Sequence, residues 1–106
     1  MRLKNKVLSM IGIAARAGCV ASGEFAVEKA IKTQKAGLVI VAEDASENTQ
    51  KGYMDAAAFY GVPIEILGSR EELGKAIGKA FRAAVAITDE NLAKAVLNRL
   101  LAYKTE

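Results

Sequence analysis

The chain has no histidine, no tryptophan, one cysteine and one proline among its 106 residues. Each absence closes off a class of chemistry. Without histidine there is no Ser–His–Asp or Cys–His catalytic set, and the commonest zinc ligand is missing. A lone Cys19 cannot form an intramolecular disulfide, so a reducing cytoplasm is the expected setting. No glycine-rich phosphate loop of the Walker or Gly-x-Gly-x-x-Gly type occurs. No apolar run reaches the roughly 18–20 residues needed to cross a bilayer, so no membrane partner is expected. With only three Phe and three Tyr as aromatics, the core has to be built from aliphatic side chains.

What is present is a globular composition, 52% hydrophobic and 25% charged. Residues 1–106 suffice for one domain with one core. The formal charge is +3, but it is unevenly spread. Residues 1–35 hold seven Lys or Arg and two acids, whereas residues 36–106 hold eight and ten. A basic first third suits a polyanionic partner, and it equally suits two helices with solvated faces.

The opening "MRLKNKVLSMIGIAARAGC" has a basic start and an apolar middle, the outline of a secretory signal. Ser9 and Gly12 interrupt the apolar run, and Arg16 stands where a signal has a small or aliphatic residue. Leu3, Val7, Met10, Ile11 and Ala14 recur every three to four residues, so an amphipathic helix over 2–17 is expected, closed by Gly18. A short extended piece follows at 19–21, and Ser22 is expected to cap a helix over 23–35. The continuous apolar run 38–42 has the character of a strand buried on both faces. Next come a helix over 46–60, capped by Asp44 or Ser46 and stopped by Gly61 and Pro63, and an edge-type strand at 63–67. Ser69 and Glu72 form a capping-box pattern that opens a helix to Ile77. A third apolar strand at 83–88 and an amphipathic helix over 89–103 complete the order. Alternating strands and helices predict an α/β fold, a three-layer α/β/α sandwich around a small, largely parallel mixed sheet.

Three constellations carry possible chemistry. Glu43-Asp44 and Asp89-Glu90 follow two strands; in a parallel sheet they share its carboxyl edge, where four carboxylates can hold Mg²⁺. They equally suit helix caps and first turns. The second is the basic helix "SGEFAVEKAIK", in which Ala26, Val27, Ala30 and Ile31 form the apolar stripe and Phe25 falls among Lys29 and Lys32. Such a ring can stack a base beside phosphate-binding lysines, or fold back onto 19–21 as a staple. The third is "GKAFRAAVAIT", where Phe81 lies between Lys79 and Arg82 and is either buried or presented to a partner.

The residues "SGEFAVEKAI…AGLVIVAEDASENTQK" and "YGVPIEILGSREELGKAIGKAFRAAVAITD" resemble the ribosomal L7Ae/L30e/S12e/Gadd45 family over nearly the whole chain. "VAEDAS", "REELGKAIGK" and "VAITD", in that order and spacing, are its most specific pieces. The resemblance is greatest to the small bacterial kink-turn-binding members. It implies a non-catalytic cytoplasmic protein that binds structured, kink-turn-like RNA, ribosomal or regulatory, with the ribosome as a possible partner. No cofactor, metal or small-molecule substrate is implied. By the same resemblance the RNA-binding residues are Ser22, Gly23, Glu24, Phe25, Lys29, Lys32, Lys79, Ala80, Phe81 and Arg82. Gly23 and Lys29 match the family's Gly-x-Asn-Glu-x-x-Lys pattern, whereas Phe25 and Ala26 replace the Asn and Glu that read sheared G·A pairs. The Gadd45 branch of the family supplies an alternative, a protein-interaction module of the same fold.

Overall fold

The structure, a computed structural model, describes residues 2–105. Its elements run α1 (Arg2–Arg16), β1 (Val20–Ser22), α2 (Glu24–Lys32), β2 (Leu38–Val41), α3 (Glu47–Tyr60), β3 (Ile64–Ile66), α4 (Arg70–Ala76), β4 (Ala84–Ile87) and α5 (Glu90–Lys104). The helix starts follow from local chemistry. Ser46 accepts a hydrogen bond from the Thr49 N–H, Asp89 from that of Leu92, and Ser69 with Glu72 forms a complete capping box. Gly61, in the left-handed conformation, ends α3.

The four strands form one mixed sheet in the order β1-β4-β2-β3. Every residue of the two central strands is buried, as their unbroken apolar sequences require. The Pro63-led strand β3 is an edge, and β1 is the other. Helices α2 and α3 pack together on one face, while α1 packs with α4 and α5 on the other. Val7, Ile11 and Ala14, all fully buried, are the inner stripe of α1, so the opening stretch is an integral layer of the fold.

The sandwich is as expected, but the balance of strand directions is not. Only β2–β3 is parallel; β4 runs antiparallel to both β2 and β1. The cause lies after α4. Residues 79–82 double back along that helix, with the Lys79 N–H donating to Gly74 O and the Arg82 N–H to Arg70 O. The chain therefore returns to the sheet edge it had just left, and β4 starts where β3 ended. Ser22 is also corrected: Gly23 is the N-cap of α2, no side chain caps it, and Ser22 closes β1.

Candidate nucleic-acid interface

The reversal of β4 collects several loops on one edge of the sheet. Ser22 pairs with Val85 and Val41 with Ala84, so the start of α2 lies beside the end of the 77–83 loop and the start of the 42–46 loop. The same reversal separates the paired acids. Asp89 and Glu90 follow β4 at the opposite edge from Glu43 and Asp44, so the four cannot converge on one cation. Among the described residues no group of three or more potential ligands is assembled. Each acid instead has a local task, and that of Glu90 is an ion pair with Lys94 at 3.3 Å. Glu43 Oε2 accepts from the Gly68 N–H at 3.0 Å, Asp44 Oδ1 accepts from the Arg70 N–H at 2.8 Å, and Asp89 caps α5. These contacts tie the β2–α3 and β3–α4 loops into one rim.

On that rim both phenylalanines face solvent. Phe25 is 82% exposed and Phe81 64%, so neither the staple nor the buried reading holds. Leaving two rings in water forfeits their apolar burial, about 1.5–3 kcal/mol each. The two segments are joined directly, since Arg82 Nε donates to Ser22 Oγ at 3.3 Å and Arg82 Nη1 to Phe81 O at 2.9 Å. Phe81 borders a small hollow of 150 Å³ that it shares with Asp44, Ser69, Arg70 and Glu71. Arg70 thus links the Asp44 loop to the Phe81 loop, a role no sequence pattern signalled.

Backbone constraints fix the two loops. Gly23 has φ 89° and ψ 149°, a conformation essentially closed to residues with a side chain. It turns the chain from β1 into α2 and leaves the helix start without a side-chain acceptor, where the dipole favours an anion. Ala80 is exposed, yet its carbonyl lies against Gly74 of α4, so closely that a Cβ there would stand 1.5 Å from the oxygen.

The charged residues divide into two groups. Lys29 and Lys79 are exposed and, among the described residues, have no carboxylate at ion-pair distance. Lys32 is exposed but bonded to Glu28 at 2.6 Å, and that contact raises its pKa. With Glu24 and Glu28 it lines a groove of 390 Å³ between α2 and α3, floored by Tyr53. Burial, then Glu24 and Glu28, push the Tyr53 hydroxyl above its ordinary range. The basic, aromatic rim is therefore bounded by an acidic groove on its α2/α3 side.

A compact α/β/α module with an aromatic and basic rim belongs to the class of small α/β/α scaffolds in which rigid elements hold exposed side chains on loops. Within that class, the chain belongs to the ribosomal protein L7Ae/L30e/S12e/Gadd45 family, whose model matches residues 5–97. It is 43% identical over 91 residues to the RNA-binding protein YlxQ of Bacillus subtilis (strain 168), covering 86% of this chain and 91% of that one. Identity to the RNA-binding protein YlxQ of Enterococcus faecium is 41% over 91 residues, covering 86% and 87%. A Bacillus halodurans C protein of unknown function superposes with a TM-score of 0.86 at 35% identity, over 90% of this chain and 96% of that one.

Proposed function

We propose that this protein is a non-catalytic RNA-binding protein of the cytoplasm that grips a kink-turn or similarly widened groove, in ribosomal or regulatory RNA. The observation that carries the reading is the rim itself: two solvent-facing phenylalanines, Phe25 and Phe81, set among Lys29, Lys79 and Arg82 and joined through the Arg82–Ser22 hydrogen bond. Lysines and arginine neutralise phosphates, and the rings offer stacking faces to unpaired bases. The RNA-binding relatives support the choice of polyanion.

Phe25 and Ala26 carry no hydrogen-bonding side-chain atoms, so G·A edges cannot be read there as an Asn-Glu pair reads them. Recognition rests instead on backbone shape and stacking, which tolerates sequence changes. The test is fluorescence anisotropy with a synthetic kink-turn stem, a straight duplex of equal length and a single strand. Tightest binding to the kinked stem is expected, and Lys29→Ala should weaken all three while lowering the salt slope by about one. No binding at low salt, or equal affinity for all three, refutes the reading.

A further inference from the structure

A second basic surface lies off the rim. Helices α1 and α4 enclose two adjoining hollows of 530 and 340 Å³ that share Gly12, Arg16, Lys75 and Ala76. Arg16 and Lys75 are exposed and, among the described residues, neither has a carboxylate at ion-pair distance. The acid that lines the groove, Glu72, is already engaged by Lys4 at 3.0 Å and by the Ser69 N–H at 2.9 Å. Half-exposed Ile13 supplies an apolar wall. The groove borders Gly78, one residue before Lys79, so it opens onto the loop that ends in Phe81 and Arg82.

Two close approaches fix this geometry. A Cβ on Gly12 would meet Ala76 O at 2.8 Å, and one on Gly74 would meet Ala80 O at 1.5 Å. Helix α1, helix α4 and residues 79–80 are thereby packed closely together, with Arg16 and Lys75 lining both hollows and Lys79 following Gly78 at their end. We propose that Arg16 and Lys75, continuing from Lys79, form a phosphate track in the α1/α4 groove along which one arm of the bound RNA leaves the Phe25–Phe81 rim. The inference rests on the RNA-binding reading and adds a direction to it. On the α2/α3 side Glu24 and Glu28 repel a phosphate chain, and Lys32 is bonded to Glu28. On the α1/α4 side uncompensated cations attract one.

The experiment compares a short kink-turn stem with the same stem whose arms are extended, one at a time, by about one helical turn. Proteins are wild type, the double variant Arg16→Gln/Lys75→Gln and a control, Lys94→Gln/Arg99→Gln on α5, with thermal melts to confirm folding. Wild type should gain affinity from one extended arm only. The groove variant should bind the short stem as wild type does and lose that gain, while the control keeps it. Each phosphate contact adds roughly threefold to the affinity lost between about 50 and about 200 mM salt. On the extended stem, wild type should therefore lose roughly tenfold more than the groove variant over that range. If the groove variant keeps the gain, or weakens both stems equally, the track is wrong and the rim reading stands. If neither extended arm raises the wild-type affinity, the track is wrong too; an acidic protein segment seated in the groove instead would give that outcome. If wild type binds no stem, both readings fall together.

Discussion

Gly74→Ala separates two effects that usually act together in a helix. Alanine is the better helix former by about 1 kcal/mol, and Gly74 lies inside α4. Space decides against it. The added Cβ would lie 1.5 Å from Ala80 O, 2.5 Å from Ala80 C and 3.1 Å from Lys79 O, all backbone atoms that no rotamer change can move. Ordinary carbon contact lies near 3.5 Å, so the 79–80 segment has to retreat by about 2 Å. That retreat strains or breaks the Lys79 N–H bond to Gly74 O (2.8 Å) and the Arg82 N–H bond to Arg70 O (3.0 Å). At about 1 kcal/mol for each of the two bonds plus about 1–3 for the overlap, less the helix gain of about 1, a net loss of roughly 2–4 kcal/mol is expected. Urea unfolding followed by circular dichroism measures it, and anisotropy with the kink-turn stem should show a parallel loss as Lys79, Phe81 and Arg82 are displaced. Gly52→Ala in α3, where nothing lies within 4 Å of the new methyl, should stabilise by up to about 1 kcal/mol. Gly78→Ala has equal room but φ 73°, and should cost about 1–2 kcal/mol through backbone strain alone. If Gly74→Ala is as stable as Gly52→Ala and binds RNA unchanged, the packing of the loop on α4 has been misread.

Phe25→Ala should leave the melting temperature unchanged, because the ring is 82% exposed, and weaken RNA binding by about 1–3 kcal/mol with an unaltered salt slope in anisotropy titrations. Lys32→Ala should lower the slope less than Lys29→Ala in the same titrations, since Glu28 already neutralises Lys32. Glu72→Gln should cost about 1 kcal/mol at neutral pH, by weakening the capping box and removing the Lys4 ion pair. The hydrogen bond from Lys4, then the Ser69 N–H, hold the Glu72 carboxyl below its ordinary 4.5, so this stabilisation is present above that pH and lost as the pH falls through the lowered value. Thermal melts from pH 7 to pH 2 should therefore show the wild-type and Glu72→Gln curves converging only in acid. The same bond holds the Lys4 ammonium above its ordinary 10.5, so at the alkaline end the gap should persist to at least that pH.

Most of the fold is legible because its boundaries are set by short-range chemistry. Ser46, Ser69 with Glu72, Asp89 and Gly61 mark helix ends within a few residues of themselves, and the unbroken apolar runs of β2 and β4 admit burial on both faces. Strand direction is a different quantity. It depends on whether a connection crosses the sheet or returns to the same edge. Helices α2 and α3 cross it, so β1, β2 and β3 all point the same way. Helix α4 is only seven residues long and is followed by a strap that retraces it. The trace of that return in the sequence is "GKAIGK", one glycine where the strap touches the helix and one where it turns.

That single reversal governs which residues meet. With β4 parallel to β2, Glu43, Asp44, Asp89 and Glu90 would share an edge and the phenylalanine loops would lie apart. With β4 antiparallel, the acids separate and the loop carrying Phe81 arrives beside the start of α2, which carries Phe25. Composition marked both phenylalanines as out of place among cations, but only the close contact at Gly74 explains why Phe81 stays outside. The strap is pressed so tightly against α4 that its carbonyl occupies the place of a side chain. Its two side chains that follow, Phe81 and Arg82, are left to point along the rim, one to solvent and one to Ser22. The rim is thus held from two sides, by the unusual backbone of Gly23 and by the missing side chain of Gly74. Substitution at either glycine should impair RNA binding more than loss of any one lysine.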